Sequence, residues 1–148
     1  ENVAKREKIS LYFYDQDEGW TFIPSNNSKK RQVLTGSLNS LEAVCILQDD
    51  VPPIITSTFP AHGGQYYVED VRQLQAQVED VLSGIEPEET SMTMTLNGKR
   101  LLYGFQPVRQ QISYNLLEHL TLGNHTMMIT VKDRAGNFAS TKVDFVIK

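Results

Sequence analysis

Two aspartates and one asparagine are the residues of this chain that could bind a metal ion. Asp80 ends a predicted strand, and Asp133 and Asn137 enclose a short predicted turn that contains Gly136. If the fold brings these segments to one end of the molecule, their oxygens could bind Ca²⁺, which takes about six to eight hard oxygen ligands. The interpretation that we favour is simpler: Asp133 and Asn137 close the turn through side-chain to backbone hydrogen bonds, and Gly136 adopts the left-handed conformation.

Tyrosines form the second group of candidate site residues, because flat rings with a polar edge suit the faces of sugars. The candidates for ligand binding are Tyr12, Tyr14, Tyr66 and Tyr67. Tyr12 and Tyr14 share one face of a predicted strand, opposite Leu11, and are the better candidates for a surface position. The alternative is core packing and cross-strand pairing, which we favour for Trp20.

The sequence contains no residue pattern typical of a catalytic centre. None of the three histidines, His62, His119 and His125, has the His-x-His or His-Glu-x-x-His spacing that places two imidazoles on one zinc ion. No Gly-x-Ser-x-Gly motif is present to activate a serine. We therefore predict no catalytic residues, no enzymatic activity and no cofactor.

The single cysteine, Cys45, lies within the apolar residues 41–47. We predict that it is a small buried core residue. A single cysteine allows no intrachain disulfide, and both a cytosolic protein and an exported bacterial one fit this pattern. Cysteine usage therefore does not decide the compartment.

Composition excludes several classes of protein. The chain has 148 residues, of which 40% are hydrophobic and 22% charged, which is an ordinary globular mixture. Its formal net charge is −4, and its basic residues are mostly scattered, so we do not expect a nucleic acid partner. No apolar run approaches the roughly twenty residues that span a bilayer. Residues 1–8 are charged and lack the features of a signal peptide, so we expect upstream domains of a longer chain.

Period-two patterning in the first part of the chain predicts a β meander. Ile9, Leu11 and Phe13 alternate with Ser10, Tyr12 and Tyr14, as in a strand. Further strands are predicted at residues 20–23, 32–38 and 41–47, with a polar loop at 24–30. In the last of these strands both faces are partly apolar, which predicts that it is covered on two sides.

Residues 49–53, Asp-Asp-Val-Pro-Pro, predict the domain boundary, since paired prolines cannot donate ladder hydrogen bonds. We expect a small or incomplete β-sandwich or β-meander module at residues 1–50, and an immunoglobulin-like β-sandwich at 51–148. In the second part, strands are predicted at 54–59, 91–96, 99–105, 112–114, 125–132 and 138–147. Asn97 and Gly98 between two of them are typical of a type I′ hairpin turn.

Residues 69–82 are ambiguous. Val71, Leu74, Val78 and Val81 have helical spacing, whereas Leu74, Ala76 and Val78 alternate with polar residues as in a half-buried strand. Because every other segment favours β structure, we predict a strand at 73–80. The fold class predicted for the whole chain is all-β.

The segments "LQAQVEDVLSGI", "MTMTLNGKRL" and "ISYNLLEHLTLGNHTMMITVKDRAGN", followed by a final alternating strand, resemble bacterial immunoglobulin-like modules of exported and cell-surface proteins. This resemblance covers residues 51–148. Upstream, "ISLYFYDQDEGWTFIP" and "LTGSLNSLEAVCIL" resemble the end of a β-sandwich that precedes such modules in secreted bacterial proteins, including some lysostaphin-type murein peptidases. The polar stretch at 63–72 and the acidic loop at Glu86, Glu88 and Glu89 depart from the pattern.

The resemblance implies a non-catalytic C-terminal module of an exported bacterial protein. Its expected work is spacing, cell-surface attachment or protein interaction, in an extracellular, cell-surface or periplasmic location. The expected partner is a protein or a cell-surface glycan. The alternative is an accessory module that binds a cell-wall carbohydrate for a secreted hydrolase. His125 falls where the similar modules carry a histidine at the start of a strand, which implies a structural role.

Overall fold

The computed structural model describes residues 8–28, 31–39, 43–86 and 90–148. Over these residues the chain is built almost entirely of antiparallel strands, so the prediction of an all-β fold is confirmed. The strands are β1 (Ile9–Asp15), β2 (Gly19–Ile23), β3 (Ser25–Ser28), β4 (Val33–Gly36), β5 (Val44–Gln48), β6 (Ile54–Phe59), β7 (Gln65–Tyr66), β8 (Gln73–Glu79), β9 (Met92–Leu96), β10 (Lys99–Arg100), β11 (Gly104–Gln106), β12 (Gln111–Asn115), β13 (Gly123–Lys132) and β14 (Phe138–Ile147). A 3₁₀ turn lies at Pro107–Arg109.

The first strand group contains a three-stranded sheet in the order β2-β1-β5 and a separate hairpin of β3 and β4. The register places Leu11 between Ile23 and Ile46, and places Tyr12 between Phe22 and Cys45. The two neighbours of each β1 residue therefore share its face of the sheet. Leu11 faces the hairpin of β3 and β4, and Tyr12 faces away from it.

Three predictions for this group are wrong. The predicted polar loop contains β3, whose residues pair with β4, because polar side chains do not prevent backbone pairing in an exposed hairpin; Lys29 and Lys30 lie outside the described residues. Strand β5 is covered on one side only: Val44 and Ile46 are 45% and 59% exposed. Cys45 is only partly buried, because β5 is the edge strand of its sheet within the described residues.

The second strand group is a β-sandwich. One sheet has the order β10-β9-β13-β14-β7, and the other has the order β11-β12-β8-β6. Side chains from the inner faces of both sheets form one continuous core. Its fully buried members are led by Phe145, Leu74, Met92, Met94, Ile112, Met127, Ile129 and Ile147. Each such side chain contributes about 1.5–3 kcal/mol through burial of apolar surface.

Strand β8 resolves the ambiguous segment. Leu74, Ala76 and Val78 are completely buried, whereas the polar residues between them are not. Val81, which the helical pattern would place beside them, is 85% exposed. The prediction of a strand in this segment is confirmed.

The hairpin at Asn97 and Gly98 also forms as predicted. Their φ angles are 50° and 80°, the positive values that a type I′ turn needs. The predicted strand at 99–105 is divided, however: β10 pairs with β9 in one sheet and β11 pairs with β12 in the other. Leu101 is buried at the crossing point between the sheets, which explains why one apolar run serves both.

The loops that follow β8 and β13 lie side by side at one end of the sandwich. Ile85 and Asp133 form an isolated bridge, and the Arg134 N–H donates to the Gly84 carbonyl over 3.1 Å. The connecting residues 49–53 reach the same end, where Asn137 binds their backbone. No strand of residues 9–48 pairs with one of residues 54–147 among the described residues, and the division into two domains stays a prediction.

Candidate cation site at the end of the sandwich

Three aspartates meet where the first strand group contacts the sandwich. Asp49, Asp80 and Asp133 each follow the last residue of a strand, namely β5, β8 and β13. One carboxylate oxygen from each lies within 4.8 Å of the others. Asp49 and Asp133 are 1% and 2% exposed, and Asp80 is partly buried. We call these three residues the aspartate cluster.

Each carboxylate is positioned by backbone N–H groups of an adjoining turn. Asp80 accepts hydrogen bonds from the N–H groups of Gly84 over 2.6 Å and Leu82 over 3.3 Å. Asp49 accepts from Val51 and from Ser83, each over 3.0 Å. The Ser83 bond matters most for the architecture, because it joins the end of β5 to a loop of the sandwich.

Asp133 and Asn137 close their turn as the favoured interpretation predicted. The Asn137 N–H donates to Asp133 Oδ1 over 2.8 Å, and its side-chain amide donates to Oδ2 over 2.7 Å. Gly136 has a φ of +88°, so it adopts the left-handed conformation. The turn interpretation is therefore confirmed in its geometry, while calcium binding by Asp80, Asp133 and Asn137 stays a prediction.

Asn137 connects this turn to the first strand group. Its amide nitrogen also donates to the carbonyl oxygens of Asp49 over 3.0 Å and Val51 over 3.3 Å. Its amide oxygen accepts a hydrogen bond from Lys8. The buried Asn137 side chain thus ties the turn to the connecting segment. Because its amide oxygen already accepts a hydrogen bond from an ammonium group, Asn137 is a poorer cation ligand than the three carboxylates.

The electrostatics of the aspartate cluster are unfavourable without a counter-charge. Burial raises the pKa of Asp80 and of Asp133, and the neighbouring carboxylates raise each pKa further. Among the described residues, the ion pairs of the nearby cations go elsewhere: Lys8 pairs with Asp50 at 3.3 Å and Arg134 with Glu86 at 3.3 Å. Buried charges need a partner or lose their charge, so the cluster favours either bound protons or a bound cation.

Tyr12 faces the aspartate cluster from strand β1. It is 0% exposed, so the prediction that it lies at the surface is wrong. Its ring packs edge-on against Phe22, whose own ring lies under the Arg134 guanidinium at 5.3 Å. These contacts bury the face of the sheet that carries Tyr12. The alternation in the sequence showed that β1 has two different faces, but it did not show which one is buried.

The Tyr12 hydroxyl is buried and has no hydrogen-bond partner among the described residues. Burial, together with the negative charges of Asp49, Asp80 and Asp133, raises the pKa of Tyr12 to about 12. The phenol is therefore neutral and retains a hydrogen to donate. Leaving such a group unpaired costs about 1–3 kcal/mol.

Sequence reasoning missed two members of this site. Asp49 was assigned to the linker, and Tyr12 to an exposed platform. The available signal was that Asp49, Asp80 and Asp133 each directly follow a strand, so that one end of the fold could collect all three. Tyr12 carries no such signal, because only the packing of the two strand groups decides which face of β1 is buried.

The other predicted ligand-binding tyrosines do not form one site. Tyr14 is 47% exposed and packs edge-on against Trp20, which is 37% exposed, with ring centroids 5.4 Å apart. Tyr67 is 67% exposed. Tyr66 instead packs against the core residues Phe59 and Phe145. Tyr14, Trp20 and Tyr67 therefore present ring surface to solvent, as does Phe138, which is 70% exposed.

The three histidines are far from forming a common site. His125 is 5% exposed, and its Nε2 lies 2.7 Å from the Thr121 carbonyl oxygen. Because a carbonyl only accepts, Nε2 carries the hydrogen and Nδ1 accepts from the Asn97 amide over 2.9 Å. His62 accepts a backbone hydrogen bond, and His119 contacts an arginine. In the described ranges, the aspartate cluster is the one group with metal-ligand geometry.

Glu86 forms the ion pair with Arg134 described above, and Glu88 and Glu89 lie outside the described residues. Within the described part of the chain, no helix has the length and apolar character needed to cross a membrane.

Comparison with known proteins identifies structures of similar fold but assigns the chain to no family. No protein-family model matches the chain, and no curated protein matches it. Among solved structures, it is similar to CopC from Methylosinus trichosporium OB3b, with 13% identity and a TM-score of 0.52 over 65% of this chain and 93% of that one. It is also similar to dimeric latent PorU from Porphyromonas gingivalis, with 19% identity and a TM-score of 0.50 over 72% of this chain. That second match spans only 13% of PorU, and at these identities both likenesses concern the β-sandwich alone.

Proposed function

We propose that this chain is a non-catalytic module of an exported bacterial protein, which spaces and orients neighbouring parts of that protein outside the cytoplasm. It works there by attachment to the cell surface or by binding a protein or glycan partner. The proposal draws on the resemblance of residues 51–148 to bacterial immunoglobulin-like modules. The similarity to 13% of PorU supports it further, because there a sandwich of this kind is one part of a much longer chain.

The observation that carries the proposal is the hydrogen-bonded junction around Asn137. Its side chain binds the carbonyl oxygens of Asp49 and Val51, and Ser83 binds the Asp49 carboxylate. These bonds hold the connecting segment against the end of the sandwich. A spacer needs a fixed angle between its parts, and a buried network of this kind supplies one.

Proteolysis at the connecting segment tests this role. Cleavage before Asp49 or Asp50 by a protease specific for aspartate requires the junction to open. In Asn137→Ala four side-chain bonds are lost, and we expect cleavage there to accelerate about tenfold, the equivalent of about 1.4 kcal/mol. The matched control is Asn115→Ala, since Asn115 is an exposed residue bonded to Gln73.

The internal reference in this experiment is cleavage before Asp70, an exposed residue in the loop between β7 and β8 of the sandwich. An increase at the connecting segment without an increase at Asp70 supports a junction that fixes orientation. Equal cleavage of wild type and Asn137→Ala would show that the side-chain bonds do not hold the segment, and the proposal would lose its main support.

A second candidate function is carbohydrate binding, and the exposed pair of Tyr14 and Trp20 favours it. Their rings are 5.4 Å apart at the end of the β1–β2 hairpin, and aromatic faces of this kind can stack on sugars. Sedimentation with insoluble peptidoglycan and a panel of polysaccharides separates the two candidates. Saturable retention that Tyr14→Ala abolishes and Tyr66→Phe preserves supports a carbohydrate-binding module, whereas a spacer stays in the supernatant.

A further inference from the structure

We propose that Asp49, Asp80 and Asp133 bind one Ca²⁺ ion, which joins the end of strand β5 to the loops that follow β8 and β13. The site goes beyond the proposed function and does not depend on it, because calcium binding and the role of the whole module are tested separately. Two independent observations carry the proposal. One is the geometry of the aspartate cluster, and the other is the unpaired hydroxyl of Tyr12.

The spacing of the carboxylates fits a calcium ion. Oxygen atoms from Asp49, Asp80 and Asp133 lie within 4.8 Å of one another. Ligands on opposite sides of Ca²⁺ are separated by about twice the Ca–O distance of about 2.3–2.6 Å. Three oxygens at this separation fit on the coordination sphere of one ion.

The charge of the cluster calls for a divalent cation. Asp49 and Asp133 are almost completely buried, and no ion pair to any of the three carboxylates occurs among the described residues, where Lys8 and Arg134 pair with Asp50 and Glu86. Three negative charges in so small a volume repel one another strongly. A bound Ca²⁺ would offset two of them.

The unpaired Tyr12 hydroxyl is the second observation that indicates a ligand at the aspartate cluster. It is fully buried, lacks a partner among the described residues and lies in the electrostatic field of all three carboxylates. Its hydrogen is available because the phenol is neutral. A water molecule on the cation would accept that hydrogen and complete the coordination shell, since calcium sites in proteins commonly include water.

The ligand set favours Ca²⁺ over Mg²⁺. The three carboxylates belong to different turns, and each accepts a hydrogen bond from a backbone N–H group at this end of the sandwich. These hydrogen bonds fix the direction in which each carboxylate points. Mg²⁺ demands short bonds in near-ideal octahedral geometry, whereas Ca²⁺ accepts irregular arrangements with more ligands. Zinc, copper and nickel ions prefer imidazole or thiolate, and neither occurs in the cluster.

Calorimetric titration of the chelator-treated full chain with CaCl₂ tests the site, and thermal unfolding with and without calcium accompanies it. We expect one ion per chain and a rise in the unfolding temperature that follows calcium concentration by mass action. In Asp133→Asn, which retains the side-chain oxygen that binds the Asn137 N–H, we expect affinity to fall about tenfold or more, because affinity depends on ligand charge. The control, Asp144→Asn, changes a carboxylate bonded to Thr126 and Lys142 and should bind as the wild type does.

Tb³⁺ luminescence sensitised by tyrosine is the second measurement, and it does not depend on stability. Bound Tb³⁺ should emit strongly in the wild-type chain, CaCl₂ should displace it, and Tyr12→Phe should lose most of the sensitised signal. Three results would overturn the proposal: no saturable binding by the wild type, equal calcium affinity in wild type and Asp133→Asn, or an equal effect of MgCl₂ at the same concentration. Circular dichroism confirms that each variant is folded.

Discussion

At the scale of single residues, the aspartates of the cluster have two roles that reinforce each other. Asp133 closes the turn to Asn137, and Asp49 receives the Ser83 N–H from the neighbouring loop. The hydrogen bonds fix the direction of each carboxylate before any ligand arrives. Such preorganisation lowers the entropic cost of binding, and it explains why residues needed for a turn are also suited to hold a cation.

Tyr12→Phe isolates the contribution of the unpaired hydroxyl. In a chelator the variant should be as stable as the wild type or more stable, by up to about 1–3 kcal/mol, because a buried donor without a partner has been removed. The ring contact with Phe22 is retained. Urea unfolding in the presence of a chelator measures the difference. A clear loss of stability would mean that the hydroxyl has a strong partner in the metal-free protein.

The raised pKa values of Asp80 and Asp133 predict how stability depends on pH without calcium. The folded state binds their protons more tightly than the unfolded state, in which the pKa is about 3.8. Their contribution to stability is therefore complete below that pH and is lost as pH rises through the raised values. Asp133→Asn removes one of the two titrations, so its stability in chelator should decline less as the pH rises above about 4.

Urea unfolding at several pH values measures this slope, and Asp144→Asn is the control. Hydrogen bonds from Thr126 and Lys142 lower the pKa of Asp144. Its contribution has the opposite sign, being lost as pH falls through the lowered value, and it should leave the slope above about pH 4 unchanged. Identical slopes for wild type and Asp133→Asn would contradict the electrostatic account of the cluster.

At the scale of elements, strand β8 shows which residues a period-two pattern commits to the core. Leu74 is completely buried, and Val81 is 85% exposed although a helix would place both on one face. Leu74→Ala should cost about 2–5 kcal/mol because it leaves a cavity between the sheets. Val81→Ala should change stability by less than about 0.5 kcal/mol. Denaturant unfolding of both variants checks this, and similar losses would argue against the strand.

The sequence predicted those elements that are determined by residues close together in the chain. Asn97 and Gly98 specify their hairpin through the positive φ that both adopt, and the alternation of Leu74, Ala76 and Val78 specifies a buried face. The division between β10 and β11 was not predicted, because an apolar run does not show where a chain leaves one sheet and enters the other. The pairing of β3 with β4 was not predicted either, because its backbone hydrogen bonds form between residues that show no alternation of apolar and polar side chains.

At the scale of the whole molecule, the aspartate cluster depends on how the first strand group meets the sandwich. Asp80 and Asp133 belong to adjacent loops of one sandwich, so a common end was predictable for them. The position of Asp49 and the burial of Tyr12 follow from contacts made by Ser83, Asn137 and Arg134. Such contacts join residues that are distant in the chain, and no local pattern records them.

The central claim is that this junction holds the first strand group and the sandwich in one fixed orientation. Nuclear magnetic relaxation of backbone ¹⁵N in the full chain, in calcium, tests it most directly. We expect one rotational correlation time for the amides of residues 9–48 and 54–147. In Asn137→Ala we expect separate times, because the side-chain hydrogen bonds to the connecting segment are lost. Two different correlation times in the wild-type chain would show that the parts reorient independently, which would contradict the claim.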